Sequence, residues 1–99
     1  MIDATHRTAW LNWLSTEKRY GDNTLDAYRR DLDDFSAFAS TVPTASALND
    51  RQLFRGWLAS MAARQLARTT IARRVASLRS FFHFCGHREM LDVPDLSWL

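Results

Sequence analysis

Apolar residues recur along this chain at intervals of three and four rather than two, and only three Gly and two Pro interrupt them. That spacing matches the helical period, so an almost wholly helical fold is predicted. The first helix is expected over 5–19, with Trp10, Trp13, Leu14 and the stem of Glu17 along one side. Tyr20-Gly21-Asp22-Asn23 breaks it and supplies polar groups that can cap the next. The second is expected over 22–40. Its Leu25, Tyr28, Leu32, Phe35 and Ala39 step by 3, 4, 3 and 4 onto one stripe, opposite Asp26, Arg30, Asp33 and Ala37. Residues 41–49, with Pro43, read as a loop, and Asn49 or Asp50 can cap a third helix running to about 64. Leu53, Phe54, Trp57, Leu58 and Met61 form its core face.

The fourth helix, expected over 67–85, places Ile71, Val75, Leu78, Phe82 and Cys85 on the core side. At 100° per residue the opposite side presents Thr69, Arg73, Ala76, Ser77 and Ser80, with Thr70 and Arg74 on one flank. One Arg thus stands among small side chains, a surface that lets a guanidinium reach base edges in a groove. A solvated exterior face has the same pattern.

Charge sharpens this picture. The net charge is only +2 over 99 residues, but it is unevenly divided. Residues 1–50 carry five basic and eight acidic side chains, residues 51–88 carry eight Arg and no acid, and residues 89–99 carry three acids. A stretch of single-sign charge attracts polyanions. Twelve of the 13 basic residues are Arg, whose planar fork suits phosphates and guanine edges.

The length fits one domain, and 46% apolar with 24% charged residues fits a folded chain with its own core. The single Cys85 permits no internal disulfide and fits a reducing compartment. No stretch has the make-up of a signal peptide or of a membrane span of roughly 20 apolar residues. A cytoplasmic protein that does not engage a membrane is therefore expected.

Asn23-Thr24-Leu25-Asp26-Ala27-Tyr28-Arg29-Arg30-Asp31-Leu32, with Phe35-Ser36-Ala37-Phe38, resembles the second helix of the N-terminal core-binding domain of Xer-type tyrosine recombinases and phage integrases. The run from Thr69 to Phe84 resembles the fourth helix of that domain, and the likeness extends over about residues 8 to 91. The resemblance implies an all-α chain, a single four-helix SAM-like orthogonal bundle over 1–91, with 92–99 starting a linker or tail. It also implies that the bundle forms half of a clamp on double-stranded DNA, with the second and fourth helices crossing the major groove at the core site. Other recombinase protomers are the further implied partner, and no cofactor is.

The candidate DNA-binding residues are Thr24, Arg29, Arg30, Arg68, Thr69, Thr70, Arg73, Arg74 and Ser77. Thr24 and Thr70 lie in first turns, where free backbone N–H groups favour a phosphate. Arg73 is the best candidate for a base contact, and the other Arg side chains would hold the backbone. Ala67 stands where the family often has a capping Ser, so Thr69 is expected to cap a later start, and Gly86 to end the helix early, since Glu89 replaces the usual terminating Gly.

Such recombinases cut and rejoin DNA through a separate domain with two Arg, a basic or His residue, a His and a Tyr nucleophile. Nothing here matches that set, so the chain is expected to be a non-enzymatic piece of a strand-transfer recombinase. The alternative function is a helical protein-interaction module that offers its basic face to an acidic partner.

Two other signals weigh less. His83, Cys85 and His87 form a His-x-Cys-x-His string, but on a helix His83 points about 160° away from Cys85, so no metal site is expected. Trp10, Trp13 and Trp57 could stack bases, yet their helical spacing makes them core residues, whereas Trp98 belongs to an apolar tail. On the second helix, Asp26 with Arg30, Arg29 with Asp33 and Arg30 with Asp34 are expected as surface pairs worth about 0.3 to 0.5 kcal/mol each.

Overall fold

The computed structural model describes residues 2–42 and 50–88. Within them lie four helices: α1 (Ala4–Thr16), α2 (Asp22–Thr41), α3 (Asp50–Ala63) and α4 (Arg68–His87). The expected loop and the expected tail with Trp98 fall mostly or wholly outside the described residues.

Several helix ends have a local cause. Asp3 caps α1 by accepting the Thr5 N–H at 2.7 Å. α1 then stops at Thr16 and not near Arg19, because Arg19 takes a left-handed φ of 55° and the Tyr20 N–H turns back to the Leu14 carbonyl. At the end of α2 the Ser40 and Thr41 hydroxyls donate back to the Ala37 and Phe38 carbonyls. α3 closes in a Schellman motif: the Gln65 N–H reaches Ala62, the Leu66 N–H reaches Met61, and Gln65 holds the left-handed position at φ 58°.

α4 departs from expectation at both ends. It begins at Arg68 behind Ala67, so Thr69 is its second residue and not its cap. It also continues through Gly86 to His87, where the Arg88 N–H closes onto the Phe84 and Gly86 carbonyls.

α2 and α4 make the most extensive contact, and α1 and α3 each pack against both. Trp10, Leu14, Leu32, Phe35, Phe54, Trp57, Met61, Leu78, Phe81, Phe82, Phe84 and Cys85 form the buried core. Aromatic rings link all four helices through it. Phe35 stacks on Phe54 at 4.9 Å and meets Trp57 edge-on at 5.2 Å. Phe54 meets Phe82, Phe82 meets Phe81, and Phe81 meets Trp10. Burying each large side chain is worth about 1.5–3 kcal/mol, and edge-on geometry adds to that. The two fully buried indole N–H groups among the described residues are also satisfied: Trp10 donates to Ser80 Oγ at 3.3 Å and Trp57 to Asp34 Oδ2 at 2.8 Å.

Candidate nucleic-acid interface

The seam between α2 and α4 is polar at its centre. Asp31 on α2 is only 1% exposed. A buried carboxylate is costly without partners, and here it has three. Arg73 donates from Nε to Oδ2 at 3.2 Å and from Nη2 to Oδ1 at 2.8 Å, Ser77 Oγ donates to Oδ2 at 2.7 Å, and Arg74 Nε stands 3.7 Å from Oδ1. Hydrogen bonding to Asp31 raises the Arg73 guanidinium above its ordinary pKa. Its side chain is nevertheless 46% exposed, so one edge is locked inward while the remainder meets solvent.

One turn further along α2, Asp34 gathers a second set. It accepts the Trp57 indole N–H and a two-point fork from Arg64, Nη1 at 2.8 Å and Nη2 at 3.0 Å. Arg74 Nη1 lies 3.0 Å from Oδ1 without hydrogen-bond alignment. The Arg64 fork, with help from Trp57 and the Arg74 charge, brings the Asp34 carboxyl from 3.8 to about 2 against the opposing effect of burial.

These contacts sort the candidate residues. Thr24, Arg30, Arg68 and Thr69 are exposed, and neither Arg30 nor Arg68 makes an ion pair among the described residues. Arg29 is exposed and pairs with Asp26. Thr70 and Arg74 are half-buried, and Arg74 is turned inward between Asp31 and Asp34. Ser77 is buried beneath Arg73, which corrects its expected outward position. The outward stripe of α4 runs instead through Thr69, Ala72, Arg73, Ala76, Arg79 and His83. The helix is rotated on its axis relative to the expected orientation, which brings its Arg73–Ser77 side against Asp31 of α2.

The expected pairs within α2 are replaced in the same way. Asp33 pairs with Arg7 of α1 and Asp34 with Arg64 and with Arg74 of α4, while Asp26 keeps a partner on α2 in Arg29 instead of Arg30.

Neither α2 nor α4 has a side-chain cap at its N-terminus. Their first N–H groups and positive dipole ends therefore remain available to an anion beside Thr24 and beside Thr69 and Thr70. His83 and His87 stack at 6.2 Å on the exposed side of α4 while Cys85 points into the core, so the three do not converge. No group of three or more metal-ligand side chains gathers among the described residues.

Asp31 and Asp34 are the residues that sequence reasoning missed. A signal existed for Asp31: it lies three residues after Tyr28 and four before Phe35, inside the apolar stripe, where an acid requires a cation facing it from another element.

Four helices around one aromatic core, with Arg side chains along the exposed face of α4, define a small all-α SAM-like domain. The chain belongs to the family described as phage integrase, N-terminal SAM-like domain, whose model matches residues 8–89. It is 40% identical over 82 residues to the tyrosine recombinase XerD of Bradyrhizobium diazoefficiens, covering 83% of this chain and 26% of that protein. It is 35% identical over 95 residues to the tyrosine recombinase XerC of Listeria welshimeri, covering 91% of this chain and 30% of the relative. It is 34% identical over 82 residues to the XerC of Pediococcus pentosaceus, covering 81% and 27%. The chain thus spans between a quarter and a third of the length of these relatives. No solved structure matches it, and no helix among the described residues is long and apolar enough to cross a membrane.

Proposed function

We propose that this domain binds duplex DNA as a module of a cytoplasmic tyrosine recombinase, laying α2 and α4 across the major groove at the core site as half of a clamp. The observation that carries the reading is the outward stripe of α4, where Arg68 and Arg73 stand exposed among Thr69, Ala72 and Ala76. Small neighbours let the helix approach a groove, and no acid lies between residues 51 and 88 to repel phosphates. Membership of a family whose relatives are tyrosine recombinases supports the same reading.

Within it, Arg30 and Arg68 hold phosphates, as do the uncapped first turns of α2 and α4. Arg29 contributes once a phosphate displaces Asp26. Arg74, turned toward Asp31 and Asp34, supports the seam from inside. Strand cleavage and rejoining fall to the remainder of the recombinase. Tyr28 packs against Trp10 and Tyr20, and burial raises its hydroxyl pKa, which disfavours the phenolate a nucleophile needs. Contacts with other protomers belong to the assembled recombinase.

The test is a salt titration of binding to a 20-base-pair duplex. Three phosphates neutralised by Arg29, Arg30 and Arg68 give a log–log slope of about −2.7, and Arg68→Ala brings it closer to zero by about 0.9. A slope near zero for the unaltered chain removes the proposal.

A further inference from the structure

A guanidinium has two edges that can each offer a parallel pair of N–H groups: a side edge, Nε with Nη2, and an end edge, Nη1 with Nη2. In Arg73 the side edge is committed to Asp31, at 3.2 and 2.8 Å. Two contacts to a carboxylate that is itself 1% exposed fix the plane of the guanidinium and its rotation about the chain. Ser77 Oγ holds the same carboxylate from beneath at 2.7 Å while lying 3.0 Å from the Arg73 carbonyl oxygen. Arg74, the other cation within reach, is drawn aside by Asp34. The end edge of Arg73 finds no acceptor among the described residues, and its side chain is 46% exposed. Around it, Thr69, Ala72 and Ala76 keep the surface low.

Building on the DNA-binding reading above, we infer that Asp31 is a positioning residue that aims the end edge of Arg73 at the N7 and O6 atoms of a guanine in the major groove. Two arguments separate this from a phosphate contact. Asp31 offsets part of the Arg73 charge but leaves its outward donors intact, which weakens attraction to a phosphate and spares hydrogen bonding to a neutral acceptor pair. The guanine edge alone presents two adjacent acceptors in the major groove, since adenine and cytosine each place a donor there and thymine a methyl group. A fork held rigid before binding also loses little side-chain freedom on contact, which sharpens discrimination between bases.

The experiment selects a pool of duplexes randomised over 16 central base pairs for binding to the 99-residue chain, then sequences the bound fraction. The unaltered chain enriches a guanine at one position of the selected site. Replacing that guanine by 7-deazaguanine, which lacks the N7 acceptor, weakens binding by roughly 5- to 150-fold, the range for one bidentate base contact. Arg73→Lys keeps the charge without the fork; it retains binding to the unselected pool and loses the guanine preference. Asp31→Asn loses the preference too, while binding the unselected pool at least as tightly as the unaltered chain, a result that mere destabilisation does not produce. If Asp31→Asn does not fold, as judged by its helical circular dichroism, the 7-deazaguanine and Arg73→Lys results decide the matter.

An intact guanine preference in a folded Asp31→Asn chain or in Arg73→Lys overturns the inference and leaves the DNA-binding reading standing. So does salt-dependent binding without any guanine enrichment. A folded chain that binds no duplex at all overturns both.

Discussion

Replacing Asp34 by Asn tests whether the second carboxylate of the seam stabilises the bundle through its charge. Asn keeps the size of the side chain and an oxygen for the Trp57 indole, but removes the negative charge facing Arg64 and Arg74. A carboxyl held at about 2 instead of 3.8 corresponds to at most about 2.5 kcal/mol. Solvent reduces this, because the Asp34 side chain is 17% exposed and that of Arg64 44%. A loss of about 1–2 kcal/mol at pH 7 follows. For a domain of this length each kcal/mol lowers the melting temperature by roughly 4–8 °C. The sign with pH is set by the direction of the perturbation. The folded-state pKa lies below the unfolded one, so the stabilisation is fully present above 3.8 and disappears as the pH falls through about 2. Urea unfolding of both chains at pH 7 and at pH 2 measures it, and the gap between them should shrink to a small fraction at the lower value. A gap of equal size at both pH values would refute the charge argument, leaving only shape and the Trp57 hydrogen bond to account for it.

Two further outcomes follow from local geometry. Gln65 occupies the left-handed position of the Schellman motif, where a side chain is strained, so Gln65→Gly should stabilise the chain by about 0.5–1 kcal/mol in the same unfolding assay, and destabilisation would contradict the strain. Burial raises the Cys85 thiol above its ordinary pKa, so its reaction with an aromatic disulfide reagent should follow the unfolding rate; rapid reaction of the folded chain would place the thiol outside the core.

Much of the bundle is readable from apolar spacing. Leu32 and Phe35 on α2, Phe54, Trp57 and Met61 on α3, and Leu78, Phe82 and Cys85 on α4 lie in the core where their spacing puts them. Periodicity is weaker at the margins of each stripe. Leu25, Tyr28 and Val75 reach the core only partly, while Phe81 and Phe84, off the expected line of α4, are fully enlisted. The reason is that α4 packs against three neighbours and so buries a wider arc than a single stripe. The candidate interface was legible in kind, as an acid-free run of Arg, but not in its detail. Arg73 stands outward as expected, whereas Ser77 and Arg74, adjacent to it on the helical surface, turn in.

Helix count, core chemistry and the segregation of positive charge are properties of residues near one another along the chain, where spacing and propensity act directly. The pairing of Asp31 with Arg73 and Ser77, and of Asp34 with Arg64, Arg74 and Trp57, joins residues more than twenty positions apart. Those pairings depend on how far each helix rotates as it packs, and that rotation is set by fitting aromatic rings across the core while burying no carboxylate without a cation.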